Sequence, residues 1–232
     1  MKKLGIIGAM RVEVALLKEN MEGMTVSTHA GMEFCEGRLC GLDTVVVQCG
    51  VGKVNAAMCA QILCSVFGVT YLANTGIAGS LNADLDIGDL VVSRDAMYHD
   101  FDCVHFGYEM GKVPGMDVVA FPADPRLAEL ALAAAEEVNP GHARMGRVAS
   151  GDLFVAAREA KEAIIAKTQA QCTEMEGAAI AQTAYRNNIP FVIMRAISDK
   201  ADDSAEMDYP TFEAIAARRC AALAANLAKN LA

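Results

Sequence analysis

Two hydrophobic patterns alternate along the chain. Short unbroken apolar runs, such as residues 4–9 (LGIIGA), predict strands buried on both faces. Stretches with apolar residues three to four apart predict amphipathic helices. On these criteria strands are expected over 4–9, 26–30, 32–39, 44–49, 70–74, 89–97, 144–150 and 189–197. Helices are expected over 12–20, 53–67, 125–138, 156–167, 176–185 and 211–231. The 53–67 helix would bury Val54, Met58, Ile62 and Val66, and the 125–138 helix carries proline in its first turn. The glycine-rich segment 75–80 reads as a turn between strands, and 99–122 has no period. A loop of that length in a compact chain is usually functional or covered. With no repeat, low-complexity tract or linker, the economical reading is one α/β domain over 1–232 with a mostly parallel or mixed sheet.

Composition narrows the class. A hydrophobic content of 53% in 232 residues argues against disorder and hints at apolar surface covered by a partner. The net charge of −9 has the wrong sign for a phosphate-backbone binder, so nucleic acid is not an expected partner. No apolar run is long enough for a membrane span, and the basic start Met1-Lys2-Lys3 leads into a run too short and glycine-broken for a secretory signal. None of the eight cysteines forms C-x-x-C, and the four histidines do not join them at zinc spacing. Free thiols, a cytoplasmic location, no metal and no cofactor are the expectations.

In open α/β sheets ligands bind beyond the carboxyl ends of strands. The predicted strand ends repeatedly supply acids and glycines, at Met10 to Glu13, Thr75 to Ser80, Ser150 to Phe154 and Arg195 to Asp199, and a further short segment ends in Glu174 to Glu176. Each has a structural alternative. Glu13 suits a helix first turn, Asp199 a turn cap, Glu176 a helix start, and Gly76 and Gly79 a tight backbone path. The segment from Gly50 to Asn55 follows a strand and opens a helix, but it lacks the third glycine of a dinucleotide loop and the P-loop pattern. The nucleophile elbow G-x-S-x-G is absent as well.

Taken together, the segments GIIGAMRVEV (5–14), GVGKVNAA (50–57), NTGIAGS (74–80), IGDLVVS (87–93), YHDFD (98–102), FGYEMGKVPG (106–115), SGDLF (150–154), EMEGAAIA (174–181) and RAISDKAD (195–202) resemble one family over essentially the whole chain. It is the bacterial 5′-methylthioadenosine/S-adenosylhomocysteine nucleosidases, within the purine nucleoside phosphorylase superfamily. The resemblance implies a three-layer α/β/α fold with a central mixed, partly barrel-like sheet. It also implies hydrolysis of the N9–C1′ bond of 5′-thioadenosines, and of 5′-deoxyadenosine, to adenine and a 5-substituted ribose.

By position in these motifs, Asp199 would protonate adenine N7, held by Ser198, and Glu13 would deprotonate water on the opposite face of C1′. Glu176 would accept from the ribose hydroxyls, with Met175 against the sugar and Arg195 holding Glu176 or water. Backbone groups at Phe154 and Val155 would read adenine above Ala78 and Gly79. Met10, Val51, Tyr108, Pro114 and Tyr209 match the 5′-alkylthio pocket, and Val104 and Phe106 would reach it from the neighbouring subunit of a homodimer with shared active sites.

Two positions depart from the family pattern. Ile77 stands where a hydroxyl residue is common near the water, and Arg11 where an acid is common. An arginine there could bind phosphate, so a phosphate-dependent purine nucleoside phosphorylase is the alternative. A hydrolase for a related 6-amino nucleoside and a catalytically dead binding module are the remaining readings.

Overall fold

The computed structural model describes residues 2–202 and 204–232, without the side chains of 206–208. Met1 of the basic N-terminus lies outside the described residues. The first strand, β1 (Lys3–Gly8), is followed by α1 (Arg11–Glu19). Three antiparallel-connected strands follow, β2 (Glu22–His29), β3 (Met32–Leu39) and β4 (Leu42–Gln48), and then α2 (Lys53–Ser65). The long strands β5 (Tyr71–Ser80) and β6 (Leu90–Tyr98) lead to an irregular stretch that contains a 3-10 turn at Val104–Phe106 and the short β7 (Phe121–Pro122). The chain continues through α3 (Pro125–Val138), β8 (Ala143–Ser150), α4 (Arg158–Thr168), β9 (Cys172–Glu174), α5 (Gly177–Asn187), β10 (Phe191–Asp199) and α6 (Ala205–Leu231).

The sheet is mixed, and part of it closes on itself. Its order is β10-β6-β8-β9-β5-β1-β4-β3-β2, and an additional β10–β5 pairing joins one end back into the middle. Five strands therefore form a ring, and β1 to β4 extend from it as an open flank. Helices α2 and α5 pack on one side, and α1, α3 and α6 on the other, each over its own apolar core. This is the expected three-layer α/β/α arrangement with a partly barrel-like sheet. Among the described residues no helix is long and apolar enough to cross a membrane.

Helix α3 starts where its sequence signal places it. The Asp124 carboxylate accepts from the Leu127 amide at 2.9 Å, and Pro125 takes the first helical position.

Four expectations need correction. Residues 75–80 are not a turn, because β5 runs through them. A Cβ at Gly76 would strike the Arg195 guanidinium and the Glu13 carboxylate, so glycine there leaves room for two buried charged side chains. The segment 172–174, not predicted as a strand, bridges β5 and β8 as β9. Helix α6 begins at Ala205 rather than 211, with Pro210 inside it. Helix α2 buries Ala56, Cys59, Ala60 and Leu63, whereas Val54 is 71% exposed and Met58 and Val66 are also open to solvent. Three small residues and Leu63 face the core where α2 packs on α5, while Val54, Met58 and Val66 point outward.

Candidate active site

Strand ends of the ring and of its flank converge on a cavity of about 360 Å³. Its floor comes from β5 (Ile77, Ala78, Gly79) and β10 (Arg195, Ser198, Asp199), and one wall from Met175 and Glu176. Met10, Glu13 and Val51 line it from the flank, Phe154 and Val155 from the segment after β8, and Tyr209 from α6. Thirteen of the residues expected from sequence are thus gathered around one space. Val104, Phe106, Tyr108 and Pro114 are not; all four lie exposed on the irregular segment, outside the cavity wall. Tyr108 and Pro114, expected beside Met10 and Val51, do not reach the cavity within this chain.

Glu13 is buried in the first turn of α1 and serves that turn as well as the cavity. One carboxylate oxygen accepts from the amides of Ala9 at 2.7 Å and Met10 at 2.9 Å, and the other from Ile77 at 3.1 Å. Burial pushes its pKa above the ordinary carboxylate value, against the opposing pull of Arg195 and those three amides. Ile77, at the position where the family often carries a hydroxyl residue, therefore touches Glu13 through its backbone, and its side chain belongs to the apolar core shared with α1 and α6.

Arg195 is the buried cation of the site. It pairs with Glu174 and donates to Asn74 Oδ1, lies 3.7 Å from Glu176, and reaches Ile77 O at 3.3 Å. Burial works against its charge, but Glu174, Glu176 and Glu13 together raise its pKa. Glu174 is the residue that sequence reasoning passed over as a mere marker. It lines the cavity, ion-pairs with Arg195, and accepts from Ser150 Oγ and from the Gly177 amide at 2.8 Å. An arginine inside an apolar strand needs a buried acid to neutralise it, which is the signal that could have found Glu174.

Glu176 precedes α5 and is buried. Its Oε1 accepts from the Gly52 amide at 2.8 Å, which gives the G-x-G segment a use other than phosphate binding. Burial first, then the charge of Glu174, raises its pKa, with Arg195 and the Gly52 amide opposing. Asp199 lies where β10 bulges against Gly79. Its Oδ2 accepts from Ser198 Oγ at 2.8 Å and its Oδ1 from the Ala201 amide at 2.8 Å, so the carboxyl is oriented by its own strand end. The Phe154 ring meets Tyr209 edge-on at 5.7 Å, and Tyr209 OH lies 3.2 Å from Met10 Sδ.

The cavity wall thus holds four acids, Glu13, Glu174, Glu176 and Asp199, and one base, Arg195. Arg11 is exposed and not part of that wall. A largely apolar cavity with oriented acids in its lining suits a neutral substrate that needs proton transfers.

Comparison with known proteins agrees with this geometry. The model of the phosphorylase superfamily matches residues 3–229. A 5′-methylthioadenosine/S-adenosylhomocysteine nucleosidase of Psychromonas ingrahamii is 39% identical over 233 residues, covering 99% of each chain. The nucleosidase of Neisseria meningitidis in complex with methylthio-immucillin-A superposes with a TM-score of 0.96 at 36% identity, over 99% of this chain and 100% of that one. A nucleosidase from Colwellia psychrerythraea in complex with adenine gives 0.95 at 39% identity, over 99% and 96% of the respective chains.

Proposed function

Because the chain belongs to the phosphorylase superfamily, within its 5′-methylthioadenosine/S-adenosylhomocysteine nucleosidases, we propose that it hydrolyses the N-glycosidic bond of these nucleosides and of 5′-deoxyadenosine. Adenine and the 5-substituted ribose are the products. The observation that carries the reading is one cavity with Glu13 at its flank side and Asp199 on its floor.

In this reading Asp199 gives its proton to adenine N7 as the N9–C1′ bond breaks, so the base leaves neutral. Water adds to C1′ from the other side and loses a proton to Glu13, whose pKa burial holds above the ordinary carboxylate value. Charge builds on the sugar in an oxocarbenium-like state, as in glycoside hydrolysis by paired carboxylates. Glu176, ionised and oriented by Gly52 and Arg195, accepts from the ribose hydroxyls. Met175 packs on the sugar, and the Phe154–Val155 backbone reads the base above Ala78 and Gly79. Met10, Val51 and Tyr209 take the 5′ substituent.

Phosphate is disfavoured as the nucleophile. Arg195 is already neutralised by Glu174 and Glu176, and the remaining wall charges are negative. Arg11, which the phosphorylase alternative would use to bind phosphate, lies outside the cavity wall. The test is product analysis with methylthioadenosine in phosphate-free and phosphate-containing buffer. Free 5-methylthioribose at equal rates in both is expected, and a sugar 1-phosphate formed only with phosphate would overturn the reading.

We further propose a homodimer whose partner completes the pocket mouth. The outward face of α2 (Val54, Met58, Val66) and the loop residues Val104 and Phe106, the latter 82% exposed, are apolar and open. The 2.5 Å Lys53–Asp100 ion pair holds the start of α2 beside that loop, so the two patches are neighbours.

A further inference from the structure

The start of α2 and the segment after β8 are tied together by three charged side chains that touch no part of the cavity. Asp152 is the centre of the tie. Its Oδ1 accepts from the backbone amide of Lys53 at 2.9 Å, and its Oδ2 lies 3.7 Å from Lys53 Nζ. Lys53 Nζ also reaches Asp100 Oδ2 at 2.5 Å, and the same Asp100 oxygen accepts from the Asp152 amide at 2.9 Å. Two backbone amides and one ammonium thus cross-link residues 52–53, 100 and 151–152.

What hangs from the two ends gives the tie its meaning. Gly52, whose φ of +98° favours glycine, sits against the Asp152 carboxylate, and its amide donates to Glu176. On the other side, Asp152 directly precedes Leu153, Phe154 and Val155, which form the base-side wall of the cavity. One carboxylate therefore sets both the amide that orients the acid on the sugar side and the strand of backbone on the base side.

We infer that Asp152 is a positioning residue for the reaction, holding the Gly52 amide on Glu176 and the 153–155 backbone in register with each other. The inference rests on the nucleosidase reading, in which Glu176 meets the ribose and Phe154–Val155 meet adenine. It is distinct from a stabilising role. The Asp152 side chain is 49% exposed, and ion pairs at such positions contribute little to folding. Hydrogen bonds from backbone amides to a carboxylate are the stronger part of the tie. Asp100 is kept ionised in the same way: burial opposes its charge, but Lys53 and the Asp152 amide hold its pKa below the ordinary carboxylate value.

The consequence for Glu176 has a sign. The groups facing it are Glu174 from β9, Glu13 from α1, Cys49 beyond β4, Arg195 from β10 and the Gly52 amide. Of these, only Arg195 and the Gly52 amide favour its ionised form. Loss of the amide leaves Glu176 harder to ionise, and the acid limb of the activity profile then moves to higher pH.

The test compares wild type, Asp152→Ala and Asp152→Asn for adenine release from methylthioadenosine across roughly pH 5 to 9, together with their melting temperatures. Asp152→Ala is expected to lose roughly tenfold in kcat/KM, the value of one hydrogen bond to a charged group. Its acid limb should move upward in pH while its melting temperature stays close to wild type. Asp152→Asn keeps an oxygen for the Lys53 amide and should recover to within about threefold, with the limb restored. An Asp152→Ala limb at the wild-type position, or an Asn variant no better than Ala, would overturn the inference. Absence of turnover in wild type would instead refute the nucleosidase reading itself.

Discussion

Replacing Arg195 by methionine removes the cation and keeps a chain of similar length. Three buried carboxylates, Glu13, Glu174 and Glu176, then lose the guanidinium that faces them. Breaking a buried pair from one side typically costs about 3–5 kcal/mol, because an uncompensated charge stays buried. Against a total stability of about 5–15 kcal/mol this is a large fraction. The cost should itself depend on pH. Glu13 and Glu176 already have raised pKa values, so in Arg195→Met they can discharge the unpaired charge by binding protons as the pH falls. Urea unfolding of wild type and variant at about pH 8 and pH 5.5 measures both effects. We expect a deficit of about 3 kcal/mol or more at the higher pH, shrinking by more than half at the lower one. A deficit below about 1 kcal/mol, or one equal at both pH values, would refute the electrostatic account of this cluster.

Wild type should show stability and activity moving in opposite directions with pH. The folded-state pKa values of Glu13 and Glu176 are raised, so the stability they give when protonated is lost as pH rises from the ordinary carboxylate value through the folded values. On the proposed mechanism activity needs both ionised and should rise over the same window, which parallel urea titrations and initial rates will show. For the proposed dimer, Val54→Asp on the exposed face of α2 should yield monomers in sedimentation, with the chain folded and the KM for nucleosides raised. Wild-type association in that variant would remove α2 from the interface.

Local signals and long-range demands divide what could be read from the sequence. Helix α3 was legible to the residue, because Asp124 and Pro125 state its start in local chemistry. β5 was not, because glycine is a turn signal locally and at Gly76 it answers a demand from Glu13 and Arg195, far away in the chain. The buried face of α2 was misassigned for a related reason. The three-to-four spacing of Val54, Met58, Ile62 and Val66 marked one face, yet the buried face is Ala56, Cys59, Ala60 and Leu63, three of them small enough for close packing. The motif-bearing residues fell together around the cavity, with the exception of the loop residues Val104, Phe106, Tyr108 and Pro114. Those four lie exposed on the irregular segment, outside the cavity wall. Glu174 carried no periodic or spacing signal, and only the burial of Arg195 makes it necessary.

The central claim is that Asp199 delivers a proton to the departing base while Glu13 receives one from water. Turnover of methylthioadenosine and affinity for adenine, measured side by side in Asp199→Asn and Glu13→Gln, test it most directly. Each variant should lose roughly 10²–10⁴-fold in kcat, the usual worth of a positioned proton transfer, and still bind adenine. Turnover near the wild-type rate in either variant would contradict the account.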